Sequence, residues 1–496
     1  MKFKNTLHTL VAVFVLSIPF ASYAQVVLWG QVPDGGNVGG GYGNIFSVTS
    51  TGVYTNVCNL TTNYAAFPEG SLLYASDGNF YASTVDGGFQ DSCTIYRYAN
   101  TGVLHTMINL DSVWGSSTPE GNSLIQGFDG NLYGMTTVGG TYSAGVLFKL
   151  NLSGNYAALH FFNDSDGNQP HGSLIQTKDS MLWGMTMLGG ANSLGNIFHC
   201  STSGILTSVF SFNDSTGNEP YGDLLLASDG NFYGLTSLGG KYGNGTLFRF
   251  TPSGTFTKLI DFDSATNGSY PYGSLIEATD SNLYGMTSGA RSTLVGPSAG
   301  VYGTIFKFTL AGNLSTIATF NGTNGGNSYG SLIQASDGYL YGMTSLGGIY
   351  NDGTVFQCSL AGTIKKLTDF NYTRSYVYVM YGHLIEQDTA QFAFDTTSTI
   401  DTTVGVKRIV NSENISLFPN PNNGQFTIQL SGISGQSSVE IYNMLGEKVY
   451  SSTLPQTAKG ALREMNLSTQ SNGVYLYRIL DENGNVISSG KFVIEK

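Results

Sequence analysis

The residues best able to do chemistry stand in one column, three positions before a recurring leucine. Glu69, His171, Tyr221, Tyr272, Tyr329 and Tyr381 precede Leu72, Leu174, Leu224, Leu275, Leu332 and Leu384, and Glu120 lies close to the same place before Leu124. Aromatic faces suit the apolar sides of sugar rings, and a mixed set of Tyr, His and Glu at one mouth would hold a ligand by a few convergent polar groups. Packing of one repeat's loop on the next explains the same column without a ligand. Glu69, Glu120 and His171 are where an acid–base pair would be sought, since glycoside cleavage needs two carboxyl groups facing one substrate, and other eliminations use a Tyr/His pair beside a cation.

Other polar columns have plainer readings. Asp77, Asp129, Asp229 and Asp337 each precede a glycine, and Asp-Gly turns need that side chain as a local hydrogen-bond acceptor. Asp164, Asp166 and Asn168 offer oxygen at alternate positions, a spacing that calcium uses. No Glu follows at the EF-hand position, and Asp214-Ser215-Thr216-Gly217-Asn218 keeps half the pattern. The six histidines are scattered, and neither a nucleophile elbow nor a phosphate loop is present. Calcium is therefore the one metal to consider, and no organic cofactor is expected. Cys200 and Cys358 fall in the repeat column of Phe250 and Phe308 and read as core. Cys58 and Cys93 sit at the end of one repeat and in the third strand of the next, so a disulfide across the repeat boundary is one expectation.

Seven copies of a phrase like GSLIxASDGNLYGMTSLGG…GTLFKF must position these residues, at a period of about fifty residues, the range of propeller blades. In the copy from Gly222 to Phe262, Asp223–Ala227 reads as a short strand, Ser228–Asn231 as a hairpin turn, and Phe232–Ser237 as its return. Thr246–Thr251 and Thr255–Phe262 supply two further strands. Four antiparallel strands repeated seven times predict an all-β, seven-bladed β-propeller over residues 25–395. The first copy lacks its own first strand and Gly382–Glu386 is a surplus one, so pairing the chain's two ends would complete a blade. Connections between strands four and one, and two and three, are long and share a rim, where binding residues usually sit. The insertion from Ser288 to Gly303, carrying Arg291, enlarges that rim.

Residues 1–24 combine Lys2 and Lys4, an apolar run from Leu10 to Phe20, and Ser22-Tyr23-Ala24, the pattern of a secretory signal peptide. No later segment is apolar for the ~20 residues a spanning helix needs. A net charge of −12 with 21 Lys+Arg and no basic run excludes nucleic acid as a partner, because phosphates demand clustered cations. With 66 glycines, about twice the usual ~7% share, the chain has the turns that many short strands require.

Asp229-Gly230-Asn231-Phe232-Tyr233-Gly234-Leu235-Thr236, Gly239-Gly240 and Gly245-Thr246-Leu247-Phe248 resemble the GloVer tandem repeat of bacterial exported proteins, over most of Val27 to Glu386. That likeness implies class and location more than activity, and the element Ser288-Gly289-Ala290 departs from it. After a Thr/Asp-rich linker, 396–414, come Leu417-Phe418-Pro419-Asn420-Pro421, Gly424-Gln425-Phe426-Thr427-Ile428, Val439-Glu440-Ile441-Tyr442-Asn443-Met444-Leu445-Gly446 and Gly473-Val474-Tyr475-Leu476-Tyr477-Arg478-Ile479. These resemble the type A C-terminal sorting domain of type IX secretion in Bacteroidetes. The resemblance implies passage across the outer membrane by the type IX machinery through residues 415–496, then release or attachment to the surface. Alternating strands and turns independently predict a small β-sandwich there.

The expectation is a secreted or surface-attached propeller that binds a glycan or protein ligand without catalysis. An extracellular lyase or glycosidase with its site on the loop-rich face is the alternative, and a structural envelope protein the third reading.

Overall fold

The computed structural model describes residues 25–33, 42–62, 65–87, 93–110, 122–289, 302–371, 380–387, 415–418, 424–430, 437–443, 448–454, 461–480 and 486–494. The signal-peptide segment lies outside them. The chain divides after Asp395 into two compact units, and among the described residues no helix is long and apolar enough to cross a membrane.

The first unit is seven four-stranded antiparallel sheets, numbered here as blades one to seven. Blade five shows the plan, with strands Leu225–Leu226, Phe232–Thr236, Thr246–Phe250 and Phe256–Asp261. The first strand is shorter than the sequence suggests, two residues rather than five, because the chain before it runs along the axis against its neighbours instead of pairing in its own sheet. Its second strand is buried along its whole length and its fourth only partly, as expected where sheets stack face to face near an axis and splay outward.

Blade one is built from both ends of the unit. Ile385–Glu386 pairs antiparallel with Val27–Val32, matching Trp29 to Ile385 and Leu28 to Glu386. Each apolar layer is shared by two consecutive blades, as where Tyr233 and Leu247 meet Leu283 and Phe306. One layer joins blade seven to blade one through Tyr341, Val355 and Phe370 against Leu28, Phe46 and Val48.

Two repeated details fix the blade's shape. A register shift falls at the same point of every third strand, between Leu247 and Phe248 in blade five, and increases the local twist. Opposite Phe248 stands Gly234, where an added Cβ would come within 2.4 Å of the Phe248 ring. The glycine of the Tyr-Gly phrase is thus a space requirement of the aromatic across the sheet.

The second unit is a sandwich. Ile415–Phe418, Gln425–Leu430 and Ala461–Asn466 form one sheet, and Lys448–Leu454, Ser437–Asn443, Gly473–Leu480 and Val486–Ile494 the other. Phe426 and Met465 from the first pack with Val439, Ile441, Tyr475 and Ile479 from the second in one core.

Candidate functional site

The axial column is placed by an unusual backbone step. Phe67, Gln169, Glu219 and Tyr270, each followed by proline, and Asn327 have φ of 55°, 52°, 52°, 58° and 51°. Left-handed backbone at a non-glycine residue costs of order 1–3 kcal/mol, and a following proline disfavours it further. Main-chain bonds to two blades hold it there. Gln169 N–H donates to Ala144 of blade three at 3.0 Å, and its carbonyl accepts Met187 N–H of blade four at 2.9 Å. Tyr270 does the same with Asn244 and Ser288, and Asn327 with Tyr302 and Ser345. The long loops of the wide rim also pair with one another, as at Asn168 with Leu188 and Asn218 with Leu238. This rim is braced by backbone hydrogen bonds.

Two residues after each step come the side chains singled out by the sequence. They turn toward the axis and pack against one another, edge-on or tilted. Ring centroids are 4.7 Å apart for His171–Tyr221, 5.1 Å for Tyr221–Tyr272, 4.7 Å for Tyr272–Tyr329 and 5.9 Å for Tyr329–Tyr381. Tyr221 and Tyr381 face each other in parallel at 6.2 Å. Tyr272 and Tyr329 are 6% and 3% exposed. Burial, with the nearby Glu69 carboxylate adding to it, holds the Tyr381 phenol well above its usual range. The cavity among these rings is about 20 Å³, room for one water and no sugar. The rings cap the axis.

Beneath the cap lies a belt that the sequence reading did not single out. Ser71, Ser123, Ser173, Asp223, Ser274, Ser331 and His383 line the same cavity. Ser71 N–H donates to Ser123 Oγ at 2.8 Å, Asp223 N–H to Ser274 Oγ at 2.7 Å, Ser274 N–H to Ser331 Oγ at 2.7 Å, and His383 N–H to Ser71 Oγ at 2.9 Å. Ser173 N–H donates to the Asp223 carboxylate. A glycine precedes every belt residue but Ser123, which follows Asn122, and proximity forces it, since a Cβ on Gly273 would lie 2.1 Å from Gly330 O and one on Gly382 2.2 Å from Gly70 O. His383 Nδ1 lies 2.8 Å from Ser71 Oγ, and burial holds its imidazole below the ordinary value against the pull of Asp223. Serine, histidine and aspartate meet here as in nucleophilic catalysis. Yet Ser71 Oγ already accepts the His383 amide, the Asp223 carboxylate accepts the Ser173 amide, and a one-water cavity admits no acyl group. The set works as a staple. Its sequence signal is the residue just before each anchor leucine, serine in five repeats and Asp223 or His383 in the others.

The remaining residues fall apart from this site. Asp229 accepts Asn231 N–H at 3.0 Å and the Tyr233 hydroxyl at 2.9 Å, and the same pair of bonds recurs at Asp77, Asp129 and Asp337. These aspartates lock turns. Asp166 takes Asn163 N–H at 2.9 Å, Asn163 Nδ2 at 2.7 Å and His160 Nε2 at 2.9 Å, while Asn168 Nδ2 donates to Asp164 at 2.7 Å. The alternate oxygens thus serve their own loop, and among the described residues no three His, Cys, Asp or Glu are placed to hold a metal ion. Cys58 and Cys93 are not joined by a disulfide, contrary to the expectation. Cys58 packs in the layer between blades one and two with Tyr96, and Cys93 in the layer between blades two and three with Ile95. Alternation along the strand puts the two thiols on opposite faces of blade two. Glu120 and Arg291 lie outside the described residues.

Sequence reading also passed over an exposed set. Tyr142, Tyr242 and Tyr350 follow the Gly-Gly pair in the strand two to three loops of blades three, five and seven, and are 63%, 48% and 54% exposed. Lys241 Nζ stands 4.8 Å from the Tyr242 ring centre.

Seven four-stranded blades around a capped axis, followed by a small sandwich bearing sorting motifs, define an exported propeller protein. The chain belongs to the Gloeobacter/Verrucomicrobia repeat family, which residues 115–297 and 210–405 match, together more than half its length. Residues 416–495 match the secretion system C-terminal sorting domain, which marks the chain for type IX export to the cell surface or the medium. No curated protein matches the chain. Among solved structures it is similar to PorZ, a surface component of the type IX secretion system of Porphyromonas gingivalis, at 12% identity and TM-score 0.38, over 91% of this chain and 63% of PorZ. The chain thus spans under two thirds of PorZ. It is also similar to a GH43B protein of a Bacteroides ovatus xyloglucan locus, at 13% identity and TM-score 0.31 over 88% and 91% of the two chains. A gluconolactonase of Xanthomonas campestris matches at 12% identity and TM-score 0.31, over 62% and 76%. Likeness this distant carries nothing about activity.

Proposed function

We propose that the propeller is a non-enzymatic binding or adhesion module, whose wide rim takes a glycan or protein ligand outside the cell. The exposure of Tyr142, Tyr242 and Tyr350 at one repeat position carries this reading. A tyrosine ring held in water on a braced loop keeps apolar area unburied, which a ligand with an apolar face, such as a sugar ring, can cover. The half-buried Tyr221 and Tyr381 would floor that surface at the axis. Replacing Tyr142, Tyr242 and Tyr350 together by Ala should abolish binding to any polysaccharide that the wild-type chain retains, while leaving its melting temperature within a degree or two. Undiminished binding would move the ligand elsewhere.

The enzyme reading draws on one observation, the His171–Tyr221 contact in the same ring as Tyr381, which Glu69 adjoins. It requires those rings to part and admit substrate, and predicts that Tyr221→Phe removes product formation with binding retained.

A further inference from the structure

Five blades share one device on the narrow rim. The turn aspartate accepts the hydroxyl of the strand-two tyrosine, and strand three places a long polar side chain against the same ring: Tyr81 pairs with Arg97, Tyr133 with Lys149, Tyr233 with Arg249, Tyr284 with Lys307 and Tyr341 with Gln357. In blades three and six the cation is an ammonium. Lys149 Nζ sits 2.8 Å from Asp129 and 5.5 Å from the Tyr133 ring centre, and Lys307 Nζ 3.0 Å from Asp280 and 5.8 Å from the Tyr284 ring centre.

Blade four keeps the aspartate and the aromatic but loses the cation. Trp183 stands for the tyrosine and His199 for the lysine, paired in the same register. Indole has no hydroxyl to give Asp179, which instead accepts Thr177 Oγ1 and, at 3.3 Å, Met181 N–H. The Trp183 ring packs at a tilt against Phe232 at 4.6 Å and His199 at 5.0 Å. The side toward blade five is open as well. At three junctions the turn glycine abuts the preceding blade's backbone, a Cβ on Gly204, Gly362 or Gly52 meeting Leu159 O, Ile317 O or Leu367 O at 2.4, 2.0 and 2.6 Å, whereas nothing lies within 4 Å of a Cβ on Gly254. A Cβ on Gly312 meets nothing either and one on Gly102 only the Tyr98 hydroxyl at 3.8 Å, but the strand pairs there are Tyr233–Arg249 and Trp29–Ser47, the second without a turn aspartate. The result is a cavity of about 290 Å³, walled by Trp183, Phe250, Met181, Val209 and Pro252, with Asp179 at its edge. That is near the lower end of the ~300–1,000 Å³ of small-molecule sites.

We infer that this cavity is a receptor for a small organic cation, an alkylammonium whose charged head takes the place filled by Lys149 and Lys307 in the sibling blades. Asp179 supplies the counter-charge, and Trp183, the best of the aromatic faces for a cation, supplies the wall. His199 is the substitution that vacates the place, since an imidazole on a one-carbon stem is too short to reach where the Lys149 and Lys307 ammonium groups sit beside their aspartates. The site is on the opposite rim from Tyr142, Tyr242 and Tyr350 and stands or falls independently of the proposed ligand there.

The test is calorimetric titration of the full mature chain with choline and with n-propylamine, against 3,3-dimethylbutanol as a neutral isostere of choline, at fixed ionic strength. Saturable binding of at least one cation and none of the alcohol is expected. Asp179→Asn, whose side-chain oxygen still accepts Met181 N–H, should weaken binding roughly tenfold or more. His199→Lys should abolish it by supplying the protein's own ammonium, with the melting temperature kept or raised because blades three and six already carry that arrangement. The alcohol binding as well as the cations, neither cation binding, or His199→Lys binding like wild type would each overturn the assignment.

Discussion

Seven belt residues hold the axis, and two of them depart from serine. His383 donates its amide to Ser71 like any belt member, but it also brings a buried imidazole whose proton affinity burial lowers. In the unfolded chain that imidazole titrates near 6.5. Below that pH the unfolded state binds a proton that the folded state resists, so stability falls as pH drops from about 6.5 toward the lower folded value and is flat above it. His383→Ser, which copies Ser71, Ser123 and Ser274, should remove this acid-side slope in chemical denaturation between pH 7 and 5. An unchanged slope would place the titration elsewhere. At this scale the sequence was only partly legible. The aromatic column was visible because its members are large and aligned, whereas the belt hid behind ordinary Gly-Ser phrases whose role comes from the close approach of seven backbones. The pairing of Cys58 with Cys93 failed because position along a strand was considered without the face to which each thiol points.

At the scale of the blade, composition follows from contact across the sheet. Phe248 lies over Gly234, so Gly234→Ala should destabilise the propeller by roughly 1–3 kcal/mol through overpacking, measured as a lower denaturation midpoint at unchanged slope. A change under about 0.5 kcal/mol would show that the ring moves aside. The sandwich offers a separate test. Lys448, Tyr442 and Arg478 surround Glu440 and hold its carboxyl down to about 2. The resulting stability is fully present above the unfolded value near 4.3 and is lost as pH falls toward 2. Glu440→Gln should flatten the sandwich's acid unfolding over that window, followed by its own NMR signals; an unaltered acid limb would exclude this cluster as its cause. Strand order, turn sites and the shared first blade were readable from the repeat, because alternation and Asp-Gly turns are local signals. The left-handed step at Gln169 and its siblings was not, since bonds to two neighbouring blades override the preference of a residue before proline.

Over the whole molecule a seven-bladed unit, with a capped axis, a braced wide rim bearing exposed tyrosines and a notched narrow rim, shares its chain with a sandwich that marks it for export. Location was legible through the tail's motifs. The ligand was not, because the exposed positions vary from blade to blade and no recurring motif names what covers them. The most direct measurement is incubation of the full chain with a panel of polysaccharides, reading thermal shift together with reducing-end and unsaturated-product release. A binding module gives a shift with at least one polysaccharide and no product from any; released product from a polysaccharide that also shifts the melting temperature would contradict it and make the axial His171, Tyr221 and Glu69 the residues to mutate.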